Sequence, residues 1–426
     1  MDKINTIDQA RALDRDDPLA RFRDEFVIKD PTMVYLDGNS LGRLPLKSAT
    51  YMERTIREQW GERLIQSWNE NWYNLSAQLG KKIARLIGAH PDEVIVSDST
   101  SVNLYKLAFS ALKLMEGKTE IISDDMNFPT DLYIIQGLIK QLGARHTLKL
   151  LRSPDGISSD MSKLQRMVNQ NTALITLSHV AYKSSYMYDM EWVTELAHLN
   201  NALVLMDLSH SVGVVPVNLN SAGVDLAVGC TYKYLNGGPG SPAFLYVKRE
   251  LQERLENPIQ GWFGELNPFE FHLNYRESEG IRKFLAGTPP VISSSGLEPA
   301  LDIVLEAGMS AIRKKSVAQS EYLLMLVRQL LSDQGIRVGS PVRSERRGSH
   351  ISLKHDEAYR ICKALTDPGV GDGVVIPDFR EPNNIRLGIS PLYTSYEDIS
   401  RTIMQIKEVI SRKLYENYPT TRDQVT

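Results

Sequence analysis

Short apolar runs alternate with helical segments through the middle of the chain, and this alternation constrains the fold more than any other feature. DEVIVSD, TEIISDD, TALITLSHV and ALVLMDLSH are rich in valine, isoleucine and leucine, and amphipathic segments such as FPTDLYIIQGLIKQLG and EWVTELAHLN separate them. Strands that are apolar on both faces and separated by helices form largely parallel sheets covered by helices on both sides. The sequence therefore predicts an α/β fold.

The alternation ends after VDLAVGC and SPAFLYV, and the rest of the chain has a different pattern. From about residue 295 we predict one long helix through GLEPALDIVLEAGMSAIRKKSVAQSEYLLMLVRQLLSDQG, then short strands in IRVGS, GSHISLKH, GVVIPDF and NIRLGIS. A last helix lies in YEDISRTIMQIKEVISRKL, where Ser395 and Asp398 form a capping-box pattern. We expect a smaller α+β domain here, with a mobile tail after it.

The N-terminal region combines a helical pattern with a polar loop. Ile7, Ala10 and Leu13 recur at helical spacing among charges, and we predict a helix over the first thirty residues. MVYLDGNSLGRLP then presents Asn39 and Ser40 between two glycines, which is typical of a loop. We divide the chain into an N-terminal arm (residues 1–45), a large domain (46–294) and a small domain (295–426) on which the arm packs.

Charge and cysteine content limit the classes of partner. The 426 residues hold 49 Lys and Arg against 52 Asp and Glu, so a net charge of −3 gives no electrostatic reason to expect nucleic acid or an anionic membrane. Cys230 and Cys362 are the two cysteines, too few for a disulfide framework or a cysteine-based metal cluster. The N-terminus has no signal-peptide pattern and no apolar run is long enough to span a bilayer. We expect a cytoplasmic protein that acts on a small molecule.

Polar residues follow the predicted strands, at the sheet edge where parallel α/β proteins bind ligands. Thr100 and Ser101 stand at a helix start, where free N–H groups favour phosphate, although an ordinary N-cap explains such hydroxyls equally well. Phe128 follows the next strand and is able to cover a planar ligand. Asp207 ends a hydrophobic strand, where a desolvated carboxylate needs a positive partner.

Lys233, in CTYKYLNGGPG, completes a combination that none of these residues makes alone. A single lysine after a strand is usually a surface residue, and the glycines after it form an ordinary turn. Here the lysine shares one predicted edge with an acid, a phosphate-ready helix start and an aromatic ring. Pyridoxal phosphate needs these parts: a lysine to form an imine, an acid to keep the pyridine nitrogen protonated, and phosphate donors.

Several motifs in order carry a resemblance to a known family. YLDGNSLG, STSVNL, NFPTD, MDLSHSVG, CTYKYLNGGPG, GWFG, GTPP and NNIRLGISPLY run through most of the chain. In these motifs the sequence resembles the kynureninases, which belong to the aspartate-aminotransferase-like, fold type I, pyridoxal phosphate enzymes. The resemblance implies a large domain with a mostly parallel, seven-stranded type of sheet. It also implies hydrolysis of L-kynurenine to anthranilate and L-alanine, in tryptophan catabolism, by a homodimer without a metal ion.

The resemblance also implies roles for individual residues. Lys233 corresponds to the imine lysine, Asp207 to the partner of the pyridine nitrogen, and Tyr232 to a phosphate ligand and candidate proton donor. The remaining implied positions are the phosphate-binding Thr100 and Ser101, the ring-stacking Phe128, the cofactor contacts Asp131, Ser178 and His210, the cross-subunit contacts Trp262 and Thr288, the substrate-binding Asn39, Ser40 and Trp68, and Arg386 for the substrate α-carboxylate.

Trp68 and the AGTPP motif bear on the choice between kynurenine and its 3-hydroxy form. Family members that favour the hydroxylated substrate carry polar residues around its ring, whereas this chain has Trp68, Gly287 and Thr288. A buried ring hydroxyl without partners is costly, so we expect L-kynurenine to be preferred. The alternative is that Trp68 only packs a helix.

Three other interpretations remain open. A cysteine desulfurase shares the fold but needs a nucleophilic cysteine on a mobile loop, and both cysteines here lie in patterns typical of buried structural positions. An aminotransferase would use the same lysine and acid but also convert a keto acid. A non-catalytic protein of this fold is expected to have lost the lysine or the acid, and both are present.

Overall fold

The fold follows from the buried strands. The computed structural model describes residues 6–421; the first five residues of the predicted arm and the end of the predicted tail lie outside the described residues. Its helices are α1 (Thr6–Arg15), α2 (Leu46–Arg54), α3 (Leu75–Leu86), α4 (Thr100–Leu114), α5 (Pro129–Gln141), α6 (Met161–Met167), α7 (Met190–Leu199), α8 (Arg249–Gln252), α9 (Val291–Ser295), α10 (Leu297–Ala307), α11 (Met309–Leu330), α12 (Ala358–Thr366) and α13 (Tyr396–Ser411).

The strands form three sheets. They are β1 (Val34–Tyr35), β2 (Val94–Val96), β3 (Glu120–Asp124), β4 (Thr147–Leu151), β5 (Thr172–Ser178), β6 (Leu203–Asp207), β7 (Leu226–Gly229), β8 (Phe244–Val247), β9 (Arg337–Val338), β10 (Ile351–Lys354), β11 (Val375–Ile376), β12 (Asp378–Arg380) and β13 (Asn384–Leu387). Shorter 3₁₀ and π-helical turns include Ala20–Glu25, Thr55–Arg63, Trp68–Trp72 and Trp262–Gly264.

A seven-stranded sheet with the order β2-β8-β7-β6-β5-β3-β4 is the centre of the molecule. The strands from β7 through β4 in this order run parallel, and β8 is antiparallel to both β2 and β7. Every residue of β5 and β6 is buried, because helices cover both faces. The predicted α/β fold with a mostly parallel sheet is confirmed. β4 was absent from the prediction; it is an edge strand and only Leu151 in it is fully buried.

The C-terminal part forms a four-stranded antiparallel sheet, β12-β13-β10-β9, whose apolar core lies against α11, α12 and α13. The arm joins this part, since β1 pairs in parallel with β11 and Val34 and Leu36 belong to the same core. The described part of the arm thus contacts the C-terminal strands through β1. The domain boundaries at residues 45 and 294 stay a prediction.

Three predicted elements differ from the structure. The long helix after residue 295 is two helices, because Gly308 adopts φ +78° and ends α10 before α11 begins. The helix over the first thirty residues is α1 followed by a separate 3₁₀ segment. GVVIPDF is divided between β11 and β12, which belong to different sheets and flank Pro377, a residue without a backbone donor.

Two further observations complete the fold. The predicted capping box at α13 is present, with the Ser395 hydroxyl accepting from the Asp398 N–H and the Asp398 carboxylate accepting from the Ser395 N–H. Among residues 6–421, no helix is long and apolar enough to cross a membrane.

Candidate active site

A cavity of about 200 Å³ opens at the carboxyl edge of the seven-stranded sheet. The loop of the arm after β1 and the strands β12 and β13 close its other side. Its lining residues are Asn39, Ser40, Thr100, Ser101, Phe128, Thr130, Asp131, Tyr182, Asp207, Ser209, His210, Tyr232, Lys233, Arg380 and Arg386. We call Asp131, Asp207, His210 and Lys233 the lysine wall, and Asp37, Asp378, Arg380 and Arg386 the arginine wall.

Lys233 lies beside a neutral histidine. Its Nζ is 2.9 Å from Nε2 of His210, which follows β6. Burial and the adjacent Lys233 charge lower the pKa of His210 well below its usual range. A neutral imidazole is able to accept a hydrogen bond from the ammonium group, and it adds no positive charge to compete with a ligand.

Two buried carboxyl groups face the same lysine. Asp207 ends β6, where its Oδ1 accepts a 2.7 Å hydrogen bond from the Ser209 N–H. Asp131, in the first turn of α5, hydrogen bonds to Asp207. Burial raises the pKa of both, and the neighbouring Asp207 charge raises that of Asp131 further. The pair therefore stabilises an additional positive or hydrogen-donating group in the cavity.

The start of α4 supplies donors at the same edge. Ser99 is the N-cap, with its hydroxyl accepting from the Val102 N–H at 3.3 Å, so the predicted N-cap geometry is present. Thr100 and Ser101 project into the cavity beyond it. The N-cap and anion-binding interpretations therefore apply to different residues: Ser99 caps the helix, and its two successors remain available to a ligand.

Two aromatic rings stand over the cavity. Phe128 is the residue before α5 and is 42% exposed, and the Tyr182 ring meets it edge-on at 5.3 Å between centroids. Ser178, expected to contact the cofactor, does not line the cavity: its hydroxyl donates to Asn127 Oδ1 at 2.6 Å. The same Oδ1 accepts from the Phe128 N–H, so Ser178 supports the loop that carries the ring.

Tyr232 and the arm are joined through the backbone. The Gly42 N–H donates to the Tyr232 carbonyl at 2.8 Å, and a Cβ on Gly42 would stand 2.3 Å from the Lys233 carbonyl. Only glycine permits this close approach. The neighbouring Cys230 thiol and burial raise the pKa of Tyr232, so its hydroxyl stays protonated at neutral pH.

Arg386, on β13, is buried and held from three elements. Its Nη1 donates to the Tyr182 carbonyl and its Nη2 to the Ser40 hydroxyl, both at 2.7 Å. Nη2 also forms a short ion pair with Asp378, which pairs with Arg380 Nε at 3.1 Å. Nε of Arg386 has no hydrogen-bond partner among the described residues. The guanidinium is thus oriented by the protein and keeps an open donor.

Besides Ser178, three more predicted residues lie outside the cavity lining. Trp68 packs against Trp72 and Phe263, with ring centroids at 5.6 and 5.7 Å. Trp262 packs against Phe263 at 4.6 Å and is 38% exposed, and Thr288 is exposed. Trp262 and Thr288 were expected to act on a second copy of the chain, and the roles of all three stay predictions.

Some residues of the cavity were not predicted as site residues. Tyr182 and Arg380 both line it, and Asp37 and Asp378 complete the arginine wall beside Arg386. The sequence signal was present for Tyr182, which follows β5 at the same edge as the other candidates. No local signal marks Arg380, which lines the cavity, or Asp378, which pairs with Arg386, since both are placed there by the pairing of β12 with β13.

The cysteines lie in structural positions. Cys230 and Cys362 are both buried, and burial raises the pKa of each thiol, so neither has the thiolate character of a nucleophile. Among residues 6–421, no cluster of three His, Cys, Asp or Glu side chains is placed to hold a metal ion.

The cavity fits pyridoxal phosphate. Within the described range, 6–421, Oδ2 of Asp131 and Nδ1 of His210 are buried without hydrogen-bond partners, and the two carboxyls of the lysine wall accommodate a protonated ring nitrogen. Lys233 is within the same cavity as an available amine, and the α4 start faces it with hydroxyls and N–H groups.

Comparisons with known proteins agree with this geometry. The family model for class-V aminotransferases matches residues 34–369. Kynureninases of Pseudomonas fluorescens and Burkholderia pseudomallei (strain K96243) are each 40% identical over 417 residues, covering 97% of this chain and 97% of the relative.

The solved structures that match are more distant. The apo cysteine desulfurase from Thermococcus onnurineus NA1 has a TM-score of 0.79 at 18% identity, covering 92% of this chain and 98% of that one. The cysteine desulfurase CsdA from Escherichia coli has 0.74 at 16%, covering 93% and 98%. These two show a shared fold alone. The full-length sequence similarity goes further, and the chain belongs to the kynureninase family within the class-V aminotransferases.

Proposed function

We propose that the protein hydrolyses L-kynurenine with water to anthranilate and L-alanine, using pyridoxal phosphate bound at Lys233. The observation that carries this proposal is one cavity in which Lys233 and two buried carboxyls stand on one wall and an oriented arginine on the other. Bound pyridoxal phosphate supplies an electron-withdrawing ring that stabilises negative charge on the substrate carbons.

The lysine wall holds and moves protons. Lys233, as a free amine, takes the proton from Cα of the substrate, and His210 beside it keeps the amine accessible because it is neutral. Asp207 accepts a hydrogen bond from the Ser209 N–H and lies next to Asp131, and it holds a proton at the ring nitrogen. Tyr232, protonated and directed into the cavity, is placed to give a proton to the carbon that leaves the aryl ketone.

The arginine wall orients the substrate. A guanidinium presents two donors to a carboxylate in a planar geometry, and Arg386 is fixed by Ser40 and the Tyr182 carbonyl before a ligand arrives. We assign Arg386 the substrate α-carboxylate, with Asn39 and Ser40 lining the same side. Phe128 and Tyr182 cover the cofactor ring and restrict water.

A homodimer with shared sites belongs to the same proposal, as does a cytoplasmic location. The support for the dimer is an exposed apolar segment in which Trp262, Phe269, Phe271 and Leu273 are 38%, 55%, 74% and 101% exposed. Such a surface needs a partner. Trp262 and Thr288 would then reach the cavity of the second copy.

The experiment that tests the activity follows anthranilate fluorescence while purified, cofactor-loaded protein is incubated with L-kynurenine. Equimolar anthranilate and L-alanine are expected, without any added keto acid. Turnover that requires a keto acid would instead identify an aminotransferase, and sulfide release from L-cysteine would identify a desulfurase.

The dimer is tested by mixing Lys233→Ala and Trp262→Ala subunits, each inactive alone. Random pairing restores about a quarter of the wild-type activity if one site in each heterodimer is free of both lesions. No recovery among demonstrated heterodimers would place each site within one chain.

A further inference from the structure

The arginine wall contains two carboxylates, and only one of them forms close ion pairs with the arginines. Asp378 pairs with both Arg386 and Arg380, and it is 1% exposed. Asp37, from the arm, approaches the same guanidinium at 4.0 Å from its Oδ1 to Nη2 of Arg386. Two arginines and two carboxylates thus balance in the unliganded protein, and Asp378 is the carboxylate that forms a close ion pair with each arginine.

Asp37 is the weakly held member of this group. Its side chain is 19% exposed, and its buried Oδ1 accepts no hydrogen bond from the described part of the chain. A carboxylate that is desolvated, next to another carboxylate and without donors on one oxygen is poorly stabilised in its charged form. Asp37 is therefore the acid of this site that is most easily protonated.

Of the two carboxylates of the arginine wall, Asp37 is the one that suits this role. The charged ones are Asp378 and Arg380 on β12 and Arg386 on β13. The uncharged titratable ones are Tyr35, Tyr234, Tyr393 and Cys362, and burial raises the pKa of each, so all four stay neutral between pH 5 and about 9. Protonation of Asp37 removes one long ion pair of 4.0 Å with Arg386, whereas protonation of Asp378 would remove close pairs with both arginines.

We propose that Asp37 takes up one proton from solvent when a substrate carboxylate binds Arg386. This inference rests on the proposed function of Arg386. The incoming carboxylate would otherwise give the wall a net negative charge in a desolvated cavity, and protonation of Asp37 restores the balance of two positive and two negative groups. Asp37 is thus a positioning residue that sets the pH range of substrate capture.

The direction of the pH effect follows from the free protein. Burial and the Asp378 charge raise the pKa of Asp37 to about 6, against the opposing effects of Ser40 and Arg386. Below pH 6 the residue is already protonated, so substrate affinity is greatest there. As pH rises above 6 each binding event must take up a proton, and affinity falls by up to about tenfold for each pH unit.

The test uses 4-(2-aminophenyl)-4-oxobutanoate, which keeps the substrate carboxylate but lacks the amine that reacts with the cofactor. Binding to the holoenzyme is measured by calorimetry at pH 7 in two buffers of different protonation enthalpy, which counts the protons taken up. Uptake approaching one proton is expected for the wild type. Asp37→Asn should show uptake near zero, and Asp37→Glu, which retains an acid, should restore it.

Asp30→Asn is the matched control. Asp30 is an exposed carboxylate of the same arm that accepts hydrogen bonds from Thr32 and lies outside the cavity lining. Its variant should take up protons as the wild type does. The KM for L-kynurenine should rise from pH 6 to 8 in the wild type and in Asp30→Asn. The Asp37→Asn variant should not show this rise.

Equal proton uptake by wild type and Asp37→Asn would overturn the inference, as would parallel KM profiles. Neither result would affect the proposed activity. That activity is excluded only if the wild-type protein and all variants fail to release anthranilate. If Asp37→Asn does not fold, the pH profile of Asp37→Glu tests the inference instead. The longer acid reaches closer to Arg386, so the curve of KM against pH should move along the pH axis relative to the wild type.

Discussion

The two walls of the cavity carry charge differently. The lysine wall places Asp131 and Asp207 against Lys233, with His210 neutral, so its acids exceed its cations. The arginine wall balances two carboxylates against two guanidinium groups. The lysine wall therefore stabilises a positive ring nitrogen, whereas the arginine wall is already balanced in charge without a ligand.

This difference has a physical consequence for binding. A protonated cofactor ring relieves the repulsion between the two acids of the lysine wall, so the cofactor stabilises that wall. A substrate carboxylate adds charge to a wall that is already balanced, so its binding must be offset by a change of protonation or by a released contact. Cofactor binding should therefore be tight, and substrate binding weaker and pH-dependent.

Removing the amine of the lysine wall should have the largest effect. Lys233→Ala is expected to lower the hydrolysis rate by about four orders of magnitude or more, because both the covalent attachment and the base are lost. Borohydride reduction followed by peptide mapping should find no fixed cofactor in the variant. Cofactor fixed at another lysine would mean that the imine site has been wrongly assigned.

Neutralising one acid of the same wall should have a smaller effect. Asp207→Asn is expected to retain the cofactor and to lose at least a hundredfold in kcat, since removal of one preorganised electrostatic partner costs about 3 kcal/mol. The absorption spectrum reports cofactor content, and single-turnover kinetics report the rate. Asp155→Asn is the control, because Asp155 is an exposed carboxylate outside the cavity lining. Near-normal turnover of Asp207→Asn would remove the residue from the mechanism.

On the arginine wall, Arg386→Lys preserves charge but removes the forked donors. One or two lost charge-assisted hydrogen bonds of about 1.5–3 kcal/mol should raise KM by about 10- to 100-fold while kcat falls less. The comparison between the walls predicts that substitutions in the arginine wall mainly raise KM, whereas substitutions in the lysine wall mainly lower kcat. A fall in kcat with unchanged KM would show that Arg386 does not bind the substrate carboxylate.

The smallest expected effect concerns the aromatic end of the substrate. If Trp68, Gly287 and Thr288 surround the ring without polar partners, the hydroxyl of 3-hydroxykynurenine is buried unpaired at about 1–3 kcal/mol. L-kynurenine should then have the higher kcat/KM by about tenfold. Steady-state kinetics with both substrates measure the ratio. A preference for the hydroxylated substrate would contradict the assignment and leave Trp68 as a packing residue only.

Local pattern was sufficient for most of the large sheet. The strands that end at Ser178 and Asp207 were predictable because their residues are apolar on both faces and bounded by helical segments. The Ser395 capping box was equally local. β4 was missed because an edge strand with one exposed side lacks a continuous apolar run, and the break at Gly308 was missed because both flanking helices continue the same apolar periodicity.

By itself the sequence determined that an acid, a lysine, an aromatic ring and a phosphate-ready helix start would meet at one sheet edge, because parallel strands bring their carboxyl ends together whatever the loops do. Tertiary structure alone decided that Ser178 donates to Asn127 instead of lining the cavity, that Arg380 enters it, and that Asp37 and Asp378 lie beside Arg386. The positions of Asp37, Asp378 and Arg380 depend on the arm and β12 packing across the sheet edge from residues hundreds of positions apart. Such contacts come from the complementarity of distant surfaces, which no local periodicity encodes.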